Sequence, residues 1–137
     1  MLTTIEKVLF LKGIGIFEQL PGEDLSRIAR ISEEVSFEKD STIFQVKDPG
    51  DALYLVISGR VKVHVGEKQI ALLGEKECFG EMSILDGEPR SASVTAVEET
   101  KTLRIMKDDF YDILADRIEI AQGIFRVLSK RLRAAIK

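Results

Sequence analysis

One histidine and one cysteine are the whole stock of imidazole and thiol in 137 residues, and that scarcity excludes a good deal. A metal-binding jelly-roll enzyme would draw on several histidines as ligands, and His64 alone is too few. A Cys–His nucleophilic pair would need His64 and Cys78 to meet. Yet His64 falls on the polar side of an alternating strand, and Cys78 precedes Phe79 in an apolar setting. A lone Cys78 cannot form an internal disulfide, which fits a reducing cytoplasm. Long apolar runs are missing too: the longest, Ala52 to Ile57, falls far short of the ~20 residues that span a bilayer. Met1 to Phe10 carries Glu6 and lacks the apolar centre of a signal peptide. Gly13-Ile14-Gly15 has Glu18 where a dinucleotide fingerprint needs its third glycine, and no Gly-x-x-x-x-Gly-Lys-Ser/Thr loop occurs. A formal charge of -3 supplies no general attraction to nucleic acid or anionic lipid. The expectation is a soluble, cytoplasmic, non-enzymatic single domain without metal or resident cofactor.

What is present divides by period. Thr3 and Glu6 have capping-box spacing, followed by apolar Ile5, Val8 and Leu9, which predicts a short helix with those three on one face. Pro21, Glu23 and Asp24 open a second helix, with Leu25, Ile28 and Ala29 facing inward. From Val35 the period is two. Short runs at Val35–Phe37, Ile43–Val46, Ala52–Ser58, Val61–Val65, Gln69–Leu73, Ser93–Val97 and Thr100–Met106 are separated by turn residues, as in a jelly-roll. From Lys107 the period returns to 3.6. Asp108 or Asp109 caps one helix, and a longer one follows from Asp116 or Arg117. Ala121, Ile124, Phe125, Leu128, Leu132, Ala135 and Ile136 form its expected apolar stripe. Arg126, Lys130, Arg131, Arg133 and Lys137 make a basic end, read as a solvated face that complements the helix dipole. The expected organisation is an N-terminal helical segment over 1–31, a β-structure over 32–107 and C-terminal helices over 108–137.

The chemistry concentrates in Cys78-Phe79-Gly80-Glu81-Met82-Ser83-Ile84-Leu85-Asp86-Gly87-Glu88-Pro89-Arg90-Ser91-Ala92-Ser93-Val94. Gly80 allows a sharp turn and a close approach to a ligand. Glu81 to Leu85 has the length of about one helical turn. Asp86-Gly87-Glu88-Pro89 turns the chain back, and Arg90 opens another strand-like run from Ser91 to Ala96. A helix start offers unpaired amides to an anion, and an arginine can grip a phosphate through two parallel hydrogen bonds. A glutamate there accepts hydrogen bonds from a sugar hydroxyl. An anion-seeking group beside a hydroxyl-seeking one points to a small ligand that is both phosphate and sugar.

Phe79-Gly80-Glu81, the apolar turn and Pro89-Arg90-Ser91-Ala92-Ser93-Val94 resemble the phosphate-binding cassette (79–94) of the cyclic-nucleotide-binding domain family. Sensory domains of catabolite activator protein, of cyclic-nucleotide-dependent kinases and of gated channels belong to that family, and the resemblance runs from about Phe17 to the last residue. It implies an eight-stranded antiparallel β-roll of the jelly-roll type, with helices at both ends. By the same resemblance Glu81 would hold the ribose 2′-hydroxyl and Arg90 the cyclic phosphate. Gly80, Met82, Ser83, Ser91 and Ala92 would line the phosphate pocket, with the Ser91 hydroxyl as a further donor. Relatives selecting cGMP often carry threonine at the Ser91 position, and relatives with serine bind cAMP, so cAMP is the expected ligand. Leu128, Leu132 and Ile136 on the last helix are candidates for a lid over the base. Similar domains often have proline where this chain has Ile118, which affects where the last helix begins.

The expected function is a cyclic-nucleotide sensor that couples binding to movement of the C-terminal helix. The alternatives are an interaction or assembly module binding no nucleotide, or the same pocket used for another phosphorylated ligand such as a cyclic dinucleotide. No nucleic-acid reader and no membrane segment is expected within this stretch. A homodimer through the last helix, or attachment to a larger effector, would supply the output.

Overall fold

Where the sequence alternates with a period of two, the chain forms eight antiparallel strands. These are β1 (Glu33–Phe37), β2 (Thr42–Phe44), β3 (Ala52–Ser58), β4 (Val61–Val65), β5 (Lys68–Leu73), β6 (Cys78–Phe79), β7 (Ser93–Ala96) and β8 (Thr100–Met106). The computed structural model describes residues 1–136 and divides them into two units, Ser32–Lys107 and Met1–Ile31 with the chain from Asp108 onward. Lys137, counted above in the basic end, lies outside the described residues.

In the first unit the strands make two four-stranded sheets, ordered β1-β8-β3-β6 and β2-β7-β4-β5. This is the expected β-roll, and it is not closed into a barrel. Its interior lies between the sheets: Ala52, Tyr54, Val56 and Phe79 from one meet Val61 and Val94 from the other, flanked by Phe37, Ile43, Phe44, Val63, Leu73 and Met106. Alternation explains the choice, because residues two apart on a strand share a face. Tyr54 stacks on Phe79 with ring centroids 5.1 Å apart and meets Phe37 edge-on at 6.1 Å. Such ring pairs add to the stabilisation that comes from buried area alone.

Strand ends shift by one or two residues from expectation, as at β1, which starts at Glu33, and β5, which starts at Lys68. β2 stops at Phe44, because the Val46 amide donates to the Ser93 hydroxyl (2.9 Å) instead of joining a ladder. β7 starts at Ser93, as the Ser93–Val97 run predicts, so Ser91 and Ala92 lie in the loop before it. The Arg90 amide donates to Asp48 O (2.8 Å) and its carbonyl accepts from the Lys47 amide (2.7 Å), so its backbone is committed to the β2–β3 turn.

The second unit is helical. α1 (Thr4–Leu11) has the expected capping box, with the Thr3 hydroxyl accepting from the Glu6 amide at 3.1 Å and Glu6 accepting from the Thr3 amide at 2.9 Å. Its buried residue is Leu11; of the apolar residues Ile5, Val8 and Leu9, only Val8 is half-buried and the other two are exposed. A 3-10 turn (Gly15–Phe17) leads to α2 (Gly22–Ile31), which buries Leu25, Ile28 and Ala29 as predicted. α4 (Lys107–Asp116) begins one residue before Asp108, and α5 (Ile118–Ile136) starts just after Arg117. Between β6 and β7 in the roll lies the short α3 (Glu81–Asp86).

α5 buries Ala121 and Ile124 of the predicted stripe and leaves Leu128 half-buried, but the rest of the stripe is exposed. Ile120, Ala121, Ile124 and Val127 are buried, whereas Phe125, Leu132, Ala135 and Ile136 are exposed. Two apolar stripes run along this helix about one residue apart, and a 3.6 period fits both. At Gly123 a Cβ would stand 2.6 Å from Leu20 Cδ2. A larger residue there would have to displace the end of the Leu20 side chain, so the face bearing Gly123 is packed closely.

Candidate ligand-binding site

β6 delivers the chain to Gly80, whose φ of 85° is left-handed, a conformation that costs glycine nothing. A Cβ there would also stand 2.8 Å from Arg90 Nη1 and 3.1 Å from Ala52 O. This turn starts α3 and puts Glu81 at its head. Asp86 accepts from the Glu88 amide at 2.9 Å, and the loop through Pro89 then carries Arg90 back beneath Gly80. The folded-back cassette read from the sequence is therefore present.

Arg90 is 3% exposed. Its Nη1 donates to Gly80 O at 2.8 Å and its Nη2 to Ala52 O at 2.6 Å. Its guanidinium carbon lies 4.0 Å from the centre of the Phe44 ring, a cation–π contact. Nη2 stands 3.9 Å from Asp51 Oδ1, an ion pair with a carboxylate that is itself largely exposed. Nε is buried and has no hydrogen-bond partner among the described residues. Burial pushes the guanidinium down from its ordinary value. Tyr54 and then the carboxylates of Asp51, Asp48 and Glu81 act in the opposite sense.

Arg90 and Glu81 line one cavity of about 150 Å³ that opens to solvent. Gly80, Met82, Ser83, Ser91 and Ala92 share its wall, so all seven predicted pocket residues come together. They differ in exposure: Ser83 is buried, Glu81 and Ala92 are half-buried, and Met82 and Ser91 are exposed. The three lid candidates lie on α5, Leu128 half-buried, Leu132 68% exposed and Ile136 85% exposed.

The cavity has walls that sequence reasoning did not assign to it. Phe44, Val63, Leu73 and Cys78 also line it. Phe44 and Val63 carried only a strand signal, since nothing local says that a ring will sit under an arginine 46 positions later. Cys78 corrects its apolar reading: its thiol donates to Glu81 Oε2 at 3.6 Å. His64 is tied within the sheet, with Nδ1 2.8 Å from Gly66 O and Nε2 2.8 Å from Thr95 Oγ1. A carbonyl only accepts, so Nδ1 carries the proton. The arrangement offers a desolvated cation and a hydroxyl-accepting carboxylate in one cavity with aromatic and aliphatic walls.

Comparisons with known proteins point the same way. The family model described as the cyclic nucleotide-binding domain matches residues 34–117. A cyclic AMP receptor protein from Thermus thermophilus is 37% identical over 130 residues, 91% of this chain and 60% of the relative. A CRP-like cAMP-activated global transcriptional regulator from Mycobacterium tuberculosis is 34% identical over 124 residues, 87% of this chain and 55% of the relative. The chain thus spans a little over half the length of these two relatives. Among solved structures, the N-terminal domain of a transcriptional regulator from Streptomyces coelicolor is similar, with a TM-score of 0.81 and 33% identity, over 92% of this chain and 91% of that one. No helix among the described residues is long and apolar enough to cross a membrane.

Proposed function

The chain belongs to the cyclic nucleotide-binding domain family, and from that premise we propose that its cavity takes cAMP in preference to cGMP and reports occupancy through α5. Arg90 carries the reading. A guanidinium held out of water keeps its full charge, because arginine does not lose its proton in proteins. It recognises phosphate through planar, paired donors. Glu81 takes the ribose 2′-hydroxyl at the head of α3. Gly80, Met82, Ser83, Ser91 and Ala92 surround the phosphate, and Phe44, Val63 and Leu73 offer the purine an apolar wall. Ser91 supplies a hydroxyl without the methyl of threonine, and the names of the two bacterial relatives carry cAMP; both support the adenine nucleotide.

The coupling works through competition. A phosphate drawing on the Nη groups of Arg90 competes with Gly80 O, and Gly80 is the residue on which α3 turns. Leu128, Leu132 and Ile136 then act as the lid. Burying one such side chain against a base contributes about 1.5–3 kcal/mol. A ligand shifts a conformational equilibrium only by its differential affinity, and this contact supplies one.

Isothermal titration with cAMP and cGMP tests the proposal. Wild type is expected to bind cAMP more tightly than cGMP, Arg90→Ala to abolish binding, and Glu81→Ala to weaken it less, because the ion pair survives. The absence of heat at high protein and ligand concentration would sink the reading. Mass spectrometry of small molecules that co-purify then identifies any other phosphorylated occupant.

A further inference from the structure

The nucleotide reading gives Cys78 no role, yet this residue is built into the pocket wall. It is the single cysteine of the chain, on the two-residue β6, with Leu55 opposite it in register. Its neighbour Phe79 stacks on Tyr54 inside the roll and lines the same cavity. Cys78 is half-buried, lines the cavity, and donates to the carboxylate of Glu81 at 3.6 Å. The same cavity is lined by Arg90, whose side chain is 2% exposed and whose Nε has no partner among the described residues. A buried donor of this kind on a cavity wall is a group that a bound molecule or an ordered water can satisfy.

We infer that Cys78 is a modification site of the pocket, at which a sulfur adduct and a bound cyclic nucleotide exclude each other. The inference rests on the nucleotide reading above. Two effects act together. An adduct on Sγ occupies cavity space beside Glu81, and it removes the S–H that this carboxylate accepts. Conversely, a nucleotide whose sugar sits at Glu81 covers the sulfur. The reagent class is a low-molecular-weight disulfide such as glutathione disulfide. The Cys78 sulfur, as thiolate, attacks one sulfur of the reagent. A new S–S bond forms as the old one breaks, and the leaving thiolate takes up the proton that Cys78 lost. Cys78 is oxidised and half of the reagent is reduced, so a dithiol reverses the reaction. Nucleotide sensing would thereby become conditional on thiol redox state.

The test uses the full chain and two reagents, glutathione disulfide and the small methyl methanethiosulfonate, with adduct mass followed over time. Saturating cAMP at a hundred times its Kd should slow adduct formation by up to about a hundredfold, the fraction of empty pockets by mass action. The methylthio adduct should weaken cAMP binding by about tenfold or more, the effect of disturbing a hydrogen bond to a charged group. The glutathione adduct should abolish binding, and dithiothreitol should restore it. Cys78→Ser, whatever its own affinity, should show no change on treatment. Circular dichroism of the adduct separates a blocked pocket from an unfolded one. Adducted protein that is folded and binds cAMP with unchanged Kd, or adduct formation that is indifferent to nucleotide, overturns the inference and leaves the nucleotide reading standing. Failure of the untreated protein to bind either nucleotide overturns the reading and the inference together.

Discussion

A guanidinium at 3% exposure has given up most of its hydration, and burial accordingly pushes Arg90 down from the ordinary arginine value. What compensates is specific: two backbone carbonyls, the face of Phe44, and the field of Tyr54 and the nearby carboxylates. Neither Gly80 O nor Ala52 O is replaceable as a partner by a lysine ammonium without loss, because one compact head cannot reproduce the spread of the fork. Arg90→Lys should therefore destabilise the protein without any ligand, by about 1–3 kcal/mol, the cost of a buried group left unpaired. Urea unfolding measures it. A midpoint equal to wild type would mean that the arginine serves only the ligand. A lowered midpoint together with lost binding would mean that the same side chain holds the cassette closed.

Among the elements, α2 and the α4–α5 junction are tied by one pair of side chains. Asp24 in the first turn of α2 is 1% exposed and accepts twice from Arg117, from Nε at 3.1 Å and from Nη2 at 3.3 Å. Those hydrogen bonds, above all, hold the Arg117 guanidinium above its ordinary value. Glu23 next door also pairs with Arg117, at 3.6 Å, but its side chain is 74% exposed. Glu23→Ala should change stability by no more than about 0.5 kcal/mol. Asp24→Ala should cost several times more, and thermal unfolding of the two variants side by side decides it. Equal effects would show that burial adds nothing to this pair. The pair also shows where sequence reading stops. Thr3 with Glu6, the alternation from Val61 to Val65 and the Gly80–Arg90 cassette were legible because each rests on neighbours a few positions apart. Asp24 and Arg117 are 93 positions apart, and each read singly as a helix-end charge. Phe44 beneath Arg90 failed for the same reason. The α5 stripe held only at Ala121 and Ile124: its period was right, but Ile120 and Val127 are buried where Phe125 and Leu132 were expected.

Across the molecule, the aromatic core of the roll and the candidate site are continuous. Phe44 touches Arg90 on one side, and its ring centroid lies 6.0 Å from that of Phe79 and 6.2 Å from that of Tyr54. A change at the centre of the roll therefore reaches the wall that holds the guanidinium. Tyr54 offers a way to charge that centre without a mutation. It is 7% exposed, and burial holds its phenol above the ordinary value, with Arg104 and Arg90 acting against the shift. In the unfolded chain the phenol ionises near its usual pKa of about 10. Between that pH and its higher folded pKa, the folded state keeps a proton that the unfolded state has released. Stability from this group is fully present below pH of about 10 and is lost as pH rises through the window above it, with a slope of up to about 1.4 kcal/mol per pH unit. Lysines titrate nearby, so the quantity to measure is the difference between wild type and Tyr54→Phe, which has no phenolic proton. Urea midpoints at pH 8 set the baseline. Above pH 10 wild type should lose stability faster than Tyr54→Phe, and parallel curves would show that the phenol ionises as freely in the folded roll as in the open chain.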